Sequence, residues 1–165
     1  MGTDIHTRVE IHGSDGKWVE VSIGNPYTGG NIEAYTERSY NLFNIIAGVR
    51  YSPYKTIGCA RGIPTDVSDT VSRAYADAIE KYNAYGATWL TLAELISWYR
   101  NKKNFRQCDY DDADIDGDEL KEIKREDKDV RRTFLKFIHG IWFLANQTQT
   151  FPFPYDVRVI MWFDC

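Results

Sequence analysis

The sequence predicts an α+β domain, a small, mainly antiparallel sheet that includes both terminal strands, with helices packed on one face. Three observations predict it. The segment TDIHTRVEIH (3–12) alternates with the period of a strand, and KWVEVSI (17–23) alternates again after the turn-rich GSDGK. The segment VRVIMWFDC (157–165) is apolar on nearly both faces, as a central strand is. Between these ends the apolar residues recur at helical spacing.

Each element can be justified in turn. In the first strand Ile5, Val9 and Ile11, with Thr7 between, share one face, and Asp4, His6, Arg8, Glu10 and His12 share the other. Strand, Gly/Asp turn and strand in succession read as a hairpin. GNPYTGGN (24–31) reads as a loop. Ser39 is placed to cap a short helix in SYNLFNIIAGVR (39–50), and Gly48 to end it. YSPYKTIGCARGIPTD (51–66) is irregular, and a loop of that length in a compact domain usually has a role. SDTVSRAYADAIEKYNAYG (68–86) reads as a helix with Val71, Tyr75, Ala78, Ile79 and Tyr82 on one stripe and Gly86 as its stop. Thr91 and Glu94 form a capping box that opens the next helix, whose inner face is Leu92, Leu95, Ile96 and Tyr99. The acidic stretch 109–129 follows and leads into the next helix. The clearest helix is DVRRTFLKFIHGIWFLANQ (129–147), striped by Val130, Phe134, Phe137, Ile138, Ile141 and Ala145. TFPFPYD is a Pro-broken connection to the last strand.

The 165 residues fit one domain, 1–165, and a chain of that size buries roughly 70% of its unfolded surface. A net charge of −4 argues against general nucleic-acid binding, for which a basic stripe is expected. It leaves room for a small anion held by a few arginines. The three cysteines, Cys59, Cys108 and Cys165, are widely spaced without a CxxC, so neither a disulfide framework nor a zinc site is expected. No signal peptide and no apolar run of about 18 residues is visible, so a cytoplasmic protein without membrane contact is expected.

Two groups of residues could carry chemistry. Asp4 and His6 point the same way, and Asp164 joins them if the terminal strands are neighbours. Carboxylate, imidazole and carboxylate could hold a divalent metal or work as base and orienting group. The plainer reading is a solvated face where Arg8 and Glu10 pair with cross-strand neighbours. The second group surrounds the long loop: Arg38, Tyr40, Arg50, Tyr51, Tyr54, Lys55 and Arg61. Arginine forks match phosphate, and aromatic rings, Trp89 included, offer stacking surfaces for a base. Gly58 and Gly62 would permit close backbone approach. The plainer reading is a loop that packs its own tyrosines and leaves its arginines in water. Neither GxxxxGK[ST] nor GxGxxG occurs, so any nucleotide site is non-standard.

Other motifs fall short. Asp112, Asp114, Asp116 and Gly117 match the start of a calcium loop, but its twelfth position is Ile123 and its eighth is Glu119. Asp116 or Asp118 capping a helix is the better reading. His139 lies off the main stripe of its helix, as a boundary residue does. Cys59 in GCARG is a nucleophile without an identified base. No GxSxG or HExxH occurs.

MGTDIH, SYNLFNIIAGVR, ARGIPTDVS (60–68), WLTLAEL (89–95) and VRVIMWFD together resemble a family of small uncharacterised proteins of bacteriophages and bacteria. The resemblance spans nearly the whole chain, and the acidic stretch 109–129, which lies outside its pattern, looks like an insertion. It supplies no catalytic residues. It implies a phage-type counter-defence protein in a bacterial cytoplasm that sequesters a small nucleotide-derived signalling ligand without turnover or cofactor. Such a binder often works at a subunit interface, as a homo-oligomer. In that role Arg38, Arg50 and Arg61 would hold phosphates, Tyr40, Tyr54 and Trp89 would stack, and His6 and Arg8 would donate from the sheet. One alternative is a metal-assisted phosphoesterase that uses Asp4, His6 and Asp164 with a divalent metal. A second is a protein-interaction module that inhibits a host protein through surface aromatics and the acidic stretch.

Overall fold

Strand β1 (Asp4–His12) alternates as its sequence requires and turns through residues 13–17 into the short β2 (Trp18–Glu20). The turn is closed by the Gly13 N–H donating to the Lys17 carbonyl at 2.8 Å. The computed structural model describes residues 2–107, 116–148 and 151–165. Strand β4 (Val157–Asp164) runs antiparallel beside β1, with Asp4 opposite Asp164 and Glu10 opposite Arg158. The terminal strands are thus neighbours at the centre of a four-stranded antiparallel sheet of order β2-β1-β4-β3. The sheet and four helices form the α+β fold that the sequence predicts.

The fourth strand is one that periodicity did not reveal. Strand β3 (Tyr85–Thr91) occupies the stretch between two helices and pairs with β4. Helix α2 (Asp69–Tyr82) stops short of Gly86, because Asn83 takes up the left-handed conformation (φ +53) and caps it. Gly86 instead sits within β3 at φ +63, where a Cβ would press on Val49 and Phe163.

The other helices begin and end where their caps stand. Ser39 accepts from the Leu42 N–H to open α1 (Tyr40–Ala47), and Gly48 closes it at φ +67. The Thr91–Glu94 capping box opens α3 (Leu92–Arg100). Asp116 caps α4 (Gly117–Ala145), so residues 117–129 of the acidic stretch form the first turns of the long helix. Cys108, Asp112 and Asp114 lie outside the described residues. His139 is exposed on α4. Among the described residues no helix is long and apolar enough to cross a membrane.

Helices α1, α3 and α4 cover one face of the sheet, where Ile5, Val9, Val159, Met161 and Phe163 meet Phe43, Leu95 and Phe137. Thr7 shares that buried row because its hydroxyl accepts the Ala34 N–H at 3.0 Å. Helix α4 passes so close to this segment that a Cβ on Gly140 would strike the Ala34 carbonyl. Helix α2 lies on the opposite face, with Val71 and Ala78 against Ile160 and Trp162. A central strand that is apolar on both faces needs cover on both, and α2 supplies the second layer.

Under α2 the sheet buries an ion pair. Glu10 is 0% and Arg158 2% exposed, and the Arg158 Nε donates to Glu10 Oε2 at 2.7 Å. Glu10 Oε1 accepts the Ser68 N–H at 2.8 Å, and Arg158 reaches the Asp66 carboxylate at 2.8 Å and its carbonyl at 3.2 Å. Removing one partner leaves a buried, uncompensated charge. Arg158→Met should therefore lower the unfolding free energy by about 3 to 5 kcal/mol. Glu10→Leu combined with Arg158→Met should recover most of that loss in chemical denaturation, because no lone charge then remains. A double variant less stable than the single would contradict the assignment.

Candidate functional site

The α2 face of the sheet changes character along β1. At the Glu10 end the polar groups are spent on structure. The Arg158 guanidinium lies 4.0 Å from the centre of the Trp18 ring and 5.8 Å from that of Trp89, and Arg61 lies 5.2 Å from the same Trp89 ring. Cations and indoles alternate across the strands, each desolvating the next. Arg61 is also held bidentately by Glu94 at 2.8 and 3.3 Å. Arg8 leans toward Glu20 at 3.7 Å and over Trp162 at 5.9 Å.

In the middle of the strand stands His6. Its Nε2 is 2.9 Å from Asp164 Oδ2 and its Nδ1 is 3.5 Å from Glu33 Oε1, with the ring stacked on Trp162 at 6.2 Å. The hydrogen bond to Glu33, with that to Asp164, raises the imidazole pKa above 6.5 against the opposing effect of burial. The register explains the Asp164 contact, since Asp164 lies opposite Asp4 and so diagonally across from His6. Asp4 points elsewhere. Arg38 grips it at 2.5 and 2.9 Å, which holds its carboxyl below the usual range. Of the predicted Asp4, His6 and Asp164, His6 contacts Asp164, whereas Asp4 is paired with Arg38. Among the described residues no group of three His, Cys, Asp or Glu side chains could hold a metal ion.

At the far end, where β1 begins and β4 ends, the structure opens. Arg50 follows the cap of α1 with φ +67, a left-handed conformation that a non-glycine residue adopts only when its surroundings impose it. Its Nε donates to the hydroxyl of buried Thr3 at 2.7 Å, and its guanidinium lies 5.5 Å over the Tyr40 ring. Thr3 is 3.2 Å from the Tyr85 hydroxyl. Arg50 and Tyr85, with Cys59 and Cys165, line a cavity of about 600 Å³ that has Val49 and Gly86 in its wall. That volume lies within the range of small-molecule sites.

The eight residues predicted to bind a ligand thus fall in separate places. Arg38, Tyr40 and Arg50 gather near the open end. His6 and Arg8 stand on the strand face beside Trp162. Arg61 and Trp89 belong to the stack at the other end, with a guanidinium near Trp89 from two sides. Tyr54 is 3% exposed, and its hydroxyl donates to Asp127 at 2.9 Å, so its ring is part of the core. Arg8, Arg38 and Arg61 each face a carboxylate, whereas Arg50 has no such partner among the described residues. Sequence reasoning missed Thr3, Tyr85 and Cys165. The alternation of Ala87, Trp89 and Thr91 against Thr88 and Leu90 is the signal that would have found β3, and Tyr85 with it. Glu33 carried no signal, because its place depends on a loop. The chain matches no protein-family model, no curated protein and no solved structure.

The paired His6 couples stability to pH. Its folded pKa lies above 6.5, so the protonated form favours the fold. The contribution is complete below 6.5 and is lost as pH rises through the raised folded value. Melting temperatures followed from about pH 6 to about pH 9 should fall further for the wild type than for His6→Gln. Parallel curves would contradict the pairing.

Proposed function

We propose that this chain binds a small anionic ligand of the nucleotide class in the cavity beside Arg50 and holds it without chemical change. One observation carries the reading. Arg50 is the only arginine of the predicted set without a carboxylate partner among the described residues, and it borders the cavity from a left-handed backbone. A guanidinium fork suits a phosphate, the Tyr85 ring suits a flat base, and the wall formed by Val49 is apolar. Sequestration of a signalling nucleotide, the role implied by the resemblance to phage proteins, is the use we assign to such a site.

A second reading rests on the His6–Asp164 hydrogen bond, an arrangement found in acid–base chemistry. It makes the protein a phosphoesterase. Both ring nitrogens of His6 already face a carboxylate, Nε2 that of Asp164 and Nδ1 that of Glu33, which leaves neither turned to a substrate and favours the binding reading.

The two readings separate in one experiment. The wild type is screened for thermal stabilisation by ADP-ribose, cyclic dinucleotides and inorganic phosphate, and the ligand is recovered by mass spectrometry. A nucleotide at 100 times its dissociation constant should add about 2.7 kcal/mol of stability and return intact. Arg50→Gly should abolish that gain while it keeps the fold within about 1 kcal/mol, since relief of the left-handed backbone offsets the lost Thr3 bond. Equal stabilisation of Arg50→Gly would refute the site. A cleaved nucleotide would favour the esterase.

A further inference from the structure

Two thiols open on the same cavity. Cys165 follows β4, and Cys59 sits on the long loop. Both are free and exposed. The Cys165 Sγ is 3.6 Å from the Tyr85 hydroxyl, 3.8 Å from that of Thr3 and 3.9 Å from the Arg50 Nη2. We propose that Cys165 and Cys59 are a reactive thiol pair that exchanges with small-molecule disulfides, Cys165 attacking and Cys59 resolving. The inference rests on the geometry of the thiols and does not depend on the nucleotide reading.

The attacking role falls to Cys165 because its surroundings favour the thiolate. Hydrogen bonds from Tyr85 and Thr3, with the positive charge of Arg50, hold its thiol below the usual thiol range. Asp164 and partial desolvation oppose them without reversing the direction. In the first step the Cys165 thiolate attacks one sulfur of the disulfide. A mixed disulfide forms at Cys165, and the other half leaves as a thiolate. In the second step the Cys59 thiolate attacks the Cys165 sulfur and expels the second half. The protein loses two electrons and two protons, and the small disulfide becomes two thiols.

The second step needs Cys59 to approach, since a disulfide holds its Cα atoms about 4.4–6.8 Å apart. The loop permits this. It is pinned by the Ile57 N–H to the Ile45 carbonyl at 2.7 Å and by the Gly62 N–H to the Ala87 carbonyl at 2.9 Å. Residues 58–60 between those pins make no backbone–backbone hydrogen bond among the described residues. Nothing lies within 4 Å of where a Cβ on Gly58 would stand.

The test uses the full chain with Cys108→Ser, which removes the third thiol. The folded protein is treated with glutathione disulfide, quenched with acid and analysed by intact-mass and peptide mass spectrometry. The expected product has lost two hydrogens and yields a Cys59–Cys165 cross-linked peptide. Adding Cys59→Ser should arrest the reaction as a glutathione adduct on Cys165. That adduct should form several-fold faster in the folded protein than in the urea-unfolded chain. Two stable glutathione adducts without a cross-link would overturn the pair. Reaction of Cys165 no faster in the folded protein than in the unfolded chain would overturn its activation.

Discussion

A charge buried between a sheet and a helix must be neutralised where it stands, and the Glu10–Arg158 pair meets that demand at the centre of this fold. Desolvation of two ions is repaid only with close geometry and further hydrogen bonds. Here Glu10 uses one oxygen for Arg158 and the other for the Ser68 N–H, while Arg158 also reaches the side chain and carbonyl of Asp66. Those contacts join the central strands, the end of the long loop and the cap of α2 in one network. The indoles of Trp18 and Trp89 close around the guanidinium and keep water from it. Register follows as well, since a slip of one residue between β1 and β4 would send Arg158 to the apolar face.

This constraint decides where a ligand can go. Glu10, Arg158 and Asp66 are committed to one another, and His6 is occupied by two carboxylates. At the opposite end a cation without an acidic partner among the described residues, an aromatic ring and two thiols line open space. Arg50 stands there in a backbone conformation that favours glycine. Strain of that kind persists when the neighbouring structure fixes it, and α1's cap and the Thr3 hydroxyl do so here.

Much of the fold was legible because its signals are local. Ser39, Gly48, Thr91, Glu94 and Asp116 mark helix ends through hydrogen bonds within a few residues, and β1 alternates cleanly. β3 was overlooked because its alternation, from Ala87 to Thr91, is short and lies between two helical patterns, and the stop of α2 rested on Asn83, not on the more conspicuous Gly86. The site was legible in part. Arg50 and Tyr40 could be chosen by residue type, but the same criterion also chose Arg61, Trp89 and Tyr54, which the tertiary structure commits to stacking and to the core. Residue type names groups able to bind a phosphate. Only the fold determines which of them lacks a carboxylate partner.

The most direct test of the account is a nitrogen-15 NMR titration of the folded protein with ADP-ribose and with a cyclic dinucleotide. The account predicts saturable shifts concentrated on the Arg50 guanidinium and on the amides of Gly48, Gly86 and Cys165, with Ser68 and Trp18 unmoved. Shifts concentrated instead on His6, Arg8 and Trp162, or none with either nucleotide, would contradict it.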